Sequence, residues 1–154
     1  MRTSIAIPVS VLICFAVGLT ASYFQNDALK LWYPLLNKSS ITPPTIVFPI
    51  VWSILYMLMG ISAGLVIGST RPRRREVIWL FVLQLLFNFM WCILFFTMRN
   101  PLLGLIDIVL LDLLVLLYII RSYTVSRAAA YLFIPYIVWL MIATYLNGYI
   151  LLNN

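Results

Sequence analysis

Histidine is absent from the 154 residues. That removes Ser-His-Asp catalysis, histidine-ligated zinc and a proximal-histidine haem at once. Acids are nearly absent too: Asp27, Glu76, Asp107 and Asp112 are the only carboxylates. Paired-carboxylate hydrolysis needs two acids converging across a cleft. Asp107 and Asp112, five residues apart, instead point about 140° away from each other on a helix. No glycine-rich phosphate loop is present. The two cysteines, Cys14 and Cys92, lack CxxC spacing and fall in different apolar segments, so they read as small hydrophobes, and no metal site is expected. Conventional acid–base or metal enzymology has little to work with.

Charge itself is scarce. Only 9% of residues are charged against 64% hydrophobic, and the mean hydropathy is +1.08; a water-soluble domain carries about a quarter charged residues. What is present is length of apolar run. Five segments, 5–24, 44–68, 77–98, 102–120 and 128–151, are each near the ~20 residues that cross ~30 Å of hydrocarbon. Lipid offers the backbone no hydrogen-bond partner, and nothing alternates with period two, so helices are expected. The fold class is all-α, one domain over 1–154 built as a bundle of five transmembrane helices. For the first segment a cleaved leader is the alternative, but its n-region has a single basic residue, Arg2, its apolar run is long, and no convincing small-x-small cleavage site follows.

Basic residues set an orientation. Arg2, Arg71, Arg73, Arg74, Arg75, Arg121 and Arg127 fall on the amino-terminal side, against Lys30, Lys38 and Arg99 on the other. This predicts a multi-pass protein of the cell membrane with a cytoplasmic N-terminus, its C-terminus and loop 25–43 outside. The net charge of +6 fits contact with anionic headgroups. Nucleic-acid binding by "RPRRRE" is not expected, because one tight turn offers no surface along which to track a backbone.

The helices carry more than filler. Thr45, Pro49, Trp52 and Tyr56 share one face within about 60°. Gly60, Gly64 and Gly68 occupy the adjoining face, with spacing that admits a second helix closely, inside the bundle or in a dimer. Gln84, Asn88, Trp91 and Phe95 form a similar face of the third segment. An amide in hydrocarbon is costly without a partner. Gln84 reads equally as helix–helix glue or as lining, Asn88 as facing a ligand. In the fifth segment Trp139, Ala143 and Leu146 align, with Asn147 beside them and Pro135 a turn earlier. Pro49 and Pro135 are expected to kink their helices and open a flat, mostly apolar cavity suited to a planar ligand. Asp107 has Arg99 or an amide as its candidate partner; Asp112 has none in view.

The order "WYPLL" (32–36), "PP" (43–44), "VWSILYMLMG" (51–60), "QLLFNFMW" (84–91), "FF" (95–96) with Arg99 and Asp107, and "PYIVWLMIATYLN" (135–147) resembles the TspO/MBR family. These are tryptophan-rich sensory proteins whose mitochondrial relative is the translocator protein. The resemblance implies a commonly dimeric five-helix bundle that binds porphyrins, with porphyrin as ligand and no required cofactor. It places Trp52, Tyr56, Asn88, Trp91, Trp139 and Ala143 in the pocket, with Trp32 and Pro44 at its mouth. Pro49, Gln84, Phe95, Asp107, Leu146 and Asn147 complete the candidate ligand-binding set, and the porphyrin carboxylates would lie toward Lys30, Lys38 or Arg99. Light-dependent porphyrin breakdown, reported for some members, would make Trp52 and Trp139 the catalytic pair. Transport has less support, since no inverted repeat is visible. Two departures stand out. The family's "KPSW"-like loop is "KSSI" here (38–41), which puts mouth closure in doubt. The chain ends "YLNGYILLNN" without a basic residue after tyrosine, so cholesterol recognition is not expected and a bacterial member is.

Overall fold

The computed structural model describes residues 2–154, and every regular element in it is helical. The helices are α1 (Thr3–Leu31), α2 (Val47–Gly68), α3 (Arg74–Trp91), α4 (Pro101–Tyr123), α5 (Arg127–Leu132) and α6 (Ile134–Asn153). A 3-10 turn covers Tyr33–Leu35, and α3 runs on through a π-helical turn, Cys92–Thr97. Five spans are long and apolar enough to cross a membrane, the fifth being α5 and α6 together. The fold is an integral membrane bundle of five helices.

Several boundaries differ from the sequence reading. The first helix continues to Leu31 instead of stopping near residue 24, so much of the expected loop 25–43 is helix. No Gly or Pro interrupts residues 19–33, and Ala28, 3% exposed, buries against Phe95 and Phe96 of the π turn. The Thr97 hydroxyl donates to the Phe24 carbonyl at 3.1 Å across the same contact. Pro49 does not kink α2. The helix starts at Val47, so Pro49 sits in the first turn, whose N–H groups have no intrahelical acceptor to lose. Pro135 does interrupt its span: α5 stops at Leu132 and α6 begins at Ile134, because proline donates no hydrogen bond to the turn before it.

The glycine run works inside the bundle. A methyl at Gly60 would meet the backbone of Val11, one at Gly64 the backbone of Ile7, and one at Gly68 the side chain of Thr3. α1 therefore lies directly on α2 along this face. α3 packs on α1 and α4, and α4 on the fifth span. At the arginine-rich end the ring closes, because α5 reaches α2: Ser62 donates to the Ala129 carbonyl at 2.8 Å. With its one proton so used, Ser62 must accept from the Tyr118 hydroxyl at 2.8 Å. Phe81, Tyr118 and Phe133 fill the space around that knot, the last two with centroids 4.1 Å apart. At the other end α2 and α6 diverge, and side chains instead of backbones bridge them.

Candidate functional site

The gap between α2 and α6 is lined by aromatic rings in alternation. Trp52 of α2 packs on Tyr136 of α6 at 6.3 Å, and Trp139 of α6 packs edge-on to Phe48 of α2 at 5.7 Å. Phe48 and Trp52 are four apart, Tyr136 and Trp139 three apart, so each pair lies on one helical face. The helices run antiparallel, which is why the pairs interleave. Trp52 also stacks obliquely on Tyr56 at 5.6 Å. Both indoles face this seam and are half-buried. The Trp139 Nε1–H is buried and has no hydrogen-bond partner among the described residues.

Below the rings a polar layer closes the seam. The Tyr56 hydroxyl donates to Asn88 Oδ1 at 2.8 Å, and Asn88 Nδ2 donates to the Tyr136 hydroxyl at 2.9 Å. Asn88 is 2% exposed and ties α2, α3 and α6 together; in this structure it is a joint, with both amide atoms engaged. A second tie runs from Trp91 Nε1, which donates to Asn147 Oδ1 at 3.1 Å, while Asn147 Nδ2 donates to the Pro101 carbonyl at 2.8 Å.

The remaining candidates separate. Trp91 stacks on Phe95 at 5.3 Å, and Trp32 meets Phe95 edge-on at 5.6 Å. With Phe96 and Ile150 these form a packed plug at the arginine-poor end, beside the seam. Phe95 fits there because Gly104 has no side chain: a Cβ at that glycine would stand 2.9 Å from Phe95 Cβ. Ala143 is half-buried a turn beyond Trp139, and Leu146 is buried. Pro44 and Pro49 are exposed at the open end. Gln84 is fully buried; its amide nitrogen reaches Met59 Sδ at 3.9 Å and its Oε1 has no partner. Asp107, 6% exposed, leaves Oδ2 unpartnered, and Arg99 does not pair with it. Asp112 does have a partner, the Thr144 hydroxyl, which donates to Oδ2 at 2.7 Å across α4 and α6.

The loop over the open end is pinned despite its altered sequence. Asn37 N–H donates to Asn154 Oδ1 at 2.8 Å, and Asn154 Nδ2 returns a bond to the Asn37 carbonyl at 3.1 Å. Ser39 Oγ lies 3.4 Å from the Tyr145 hydroxyl. Lys38 folds onto its own loop: its ammonium contacts the carbonyls of Tyr33, Pro34 and Leu36 at 2.9, 3.4 and 3.3 Å. Lys30 and Arg99 are the cations left facing outward there.

Sequence reasoning missed Phe48 and Tyr136. Tyr136 was reachable, lying about 60° from Trp139 on the same helical face. Phe48 was reachable in the same way, lying about 40° from Trp52, although it falls in the first turn of a helix whose start was placed three residues early.

The sequence model of the TspO/MBR family matches residues 10–152. Among curated relatives, the tryptophan-rich protein TspO of Chlorobaculum tepidum is 40% identical over 145 residues, covering 92% of this chain and 91% of its own. The protein of the same name from Archaeoglobus fulgidus is 38% identical, with 94% of both chains covered. The human translocator protein is 34% identical over 137 residues, spanning 87% of this chain and 79% of that one.

Proposed function

The chain belongs to the TspO/MBR family, and from that premise we propose that the α2–α6 seam binds a porphyrin. The observation that carries this reading is the meeting of Trp52 and Trp139 from separate spans on one seam, with the Trp139 N–H buried and unpartnered. Spreading α2 from α6 breaks two inter-helix ring pairs, each worth about 0.5–1.5 kcal/mol beyond its area. A flat macrocycle sliding between them replaces both contacts, so insertion is nearly neutral for the protein. Burial of the ligand's own apolar surface then supplies the net gain. Tyr56, Asn88 and Tyr136 form the floor that stops the macrocycle. Lys30 and Arg99, exposed at the open rim, suit its carboxylates. The basic count supports an orientation with the arginine-rich end on the cytoplasmic side of a cell membrane. With the glycine face occupied by α1, a dimer would use another surface.

Titration with protoporphyrin IX tests the reading. The wild-type chain shifts the Soret band and loses tryptophan fluorescence, and a Trp52→Ala, Trp139→Ala variant binds about tenfold or more weakly. Unchanged binding in that variant ends the proposal. Light-dependent porphyrin breakdown is the second reading, favoured by two indoles in direct reach of the seam. Product forming equally in darkness, or with Trp139→Phe, counts against it.

A further inference from the structure

A separate recess opens at the arginine-rich end, far from the aromatic seam. Arg71 of the α2–α3 loop, Tyr123 at the end of α4, Thr124 and Val125 of the α4–α5 turn and Arg127 at the start of α5 surround a volume of about 510 Å³. Seven arginines and one glutamate lie at this end of the chain, and the structure divides them by task. Arg121 pairs with Glu76 at 3.2 Å. Arg74 donates to the carbonyls of Ile67 and Ser69 at 3.4 and 3.0 Å, where α2 ends. The guanidinium groups of Arg71 and Arg127 have no hydrogen-bond or ion-pair partner among the described residues, and both line the recess. Arg127 is held over the Tyr123 ring, 5.4 Å from its centroid. That contact fixes the cation and leaves its N–H edge free. The one glutamate at this end is already taken by Arg121, so no acid of the chain neutralises the recess.

Depth identifies the anion. Trp79, Tyr123 and Tyr131 around this end are 72%, 44% and 57% exposed, and amphipathic rings of this kind sit at headgroup level. A recess opening there, with two free guanidinium forks, one from the α2–α3 loop and one from the start of α5, matches phosphate oxygens, which arginine grips with paired N–H donors. We propose that this recess holds the phosphate of an acidic phospholipid from the adjoining leaflet, with Arg71 and Arg127 as its two donors. The lipid thereby ties the α2–α3 loop to the start of α5, independently of what occupies the seam. Free inorganic phosphate shares the chemistry, but the flanking exposed rings favour a ligand with acyl chains.

Native mass spectrometry of the full chain in neutral detergent tests this, with phosphatidylglycerol or phosphatidylcholine added, each with and without millimolar inorganic phosphate. One phosphatidylglycerol should be retained, phosphatidylcholine should not, and inorganic phosphate should not displace the lipid. Arg71→Gln with Arg127→Gln should weaken retention about twenty-fivefold, taking roughly fivefold per arginine. Arg73→Gln with Arg75→Gln removes the same charge from exposed positions outside the recess and should weaken it only slightly. Equal losses in the two pairs would mean diffuse charge and overturn the site. Undiminished retention in the Arg71, Arg127 variant would overturn it too, and displacement by inorganic phosphate would overturn the lipid assignment. Unchanged helical circular dichroism verifies that each variant is folded.

Discussion

Asn88 is where three helices meet, with one amide oxygen and one amide nitrogen each bound to a tyrosine. Helix–helix hydrogen bonds in membranes average about 0.6 kcal/mol in double-mutant cycles. Truncating this residue costs more, because it strands two hydroxyls, each of which loses about 1–3 kcal/mol when buried and unpaired. Tyr56 and Tyr136 are 7% and 0% exposed, so neither can turn to water. Asn88→Leu should therefore destabilise the bundle by about 2 kcal/mol, read as a lower melting temperature in detergent. A melting curve identical to wild type would show that the tyrosines find other partners. The sequence marked Asn88 as a polar residue on an aromatic face. It did not show that the amide was already occupied, because its partners lie 32 and 48 positions away. Asp112 was opaque for the same reason: Thr144 is 32 residues distant.

Between elements, the closest packing is α1 on α2, and glycine makes it possible. Gly64→Leu forces a side chain into the Ile7 backbone, and overpacking of that kind costs about 1–3 kcal/mol. Gly148 provides the contrast, since the nearest atom to a Cβ there is Leu105 Cδ1 at 3.9 Å. Thermal denaturation should show a clear drop for Gly64→Leu and almost none for Gly148→Ala. A tolerated Gly64→Leu would mean that α1 is loosely docked. The 4-residue spacing of these glycines was legible and marked a tight helix contact. Whether that contact lay within one chain or between two was not, since both geometries need the same small residues. The two prolines divide likewise. Pro135 interrupts its span, whereas Pro49 does not, and the difference is position within the helix, which hydropathy cannot locate to a turn.

The whole molecule is a bundle closed at one end and spread at the other. Ser62, Tyr118 and Ala129 fasten the closed end; at the spread end, rings span what backbones do not. A ligand that enters the spread end and binds only the folded state stabilises the fold by mass action, about 2.7 kcal/mol when present at a hundred times its Kd. Protoporphyrin IX should thus raise the melting temperature of the wild-type chain by several degrees and leave the Trp52→Ala, Trp139→Ala variant unmoved. A rise of equal size in both would place the ligand elsewhere on the protein.

Composition and run length alone determined that the chain crosses a membrane five times as helices, because lipid leaves the backbone no other way to satisfy its hydrogen bonds. Helical periodicity determined which faces carry indoles, amides and glycines, since side chains repeat every 3.6 residues whatever the helix packs against. Tertiary structure decided which of those faces meet. Trp52 and Trp139 share a seam while Trp32 and Trp91 belong to a plug beside it. It also decided which polar atoms find partners across the bundle and which, like the Trp139 N–H, are left open. Neither is encoded locally, for both depend on how helices far apart in the chain are rotated against one another, and that rotation is set by the packing of the complete bundle.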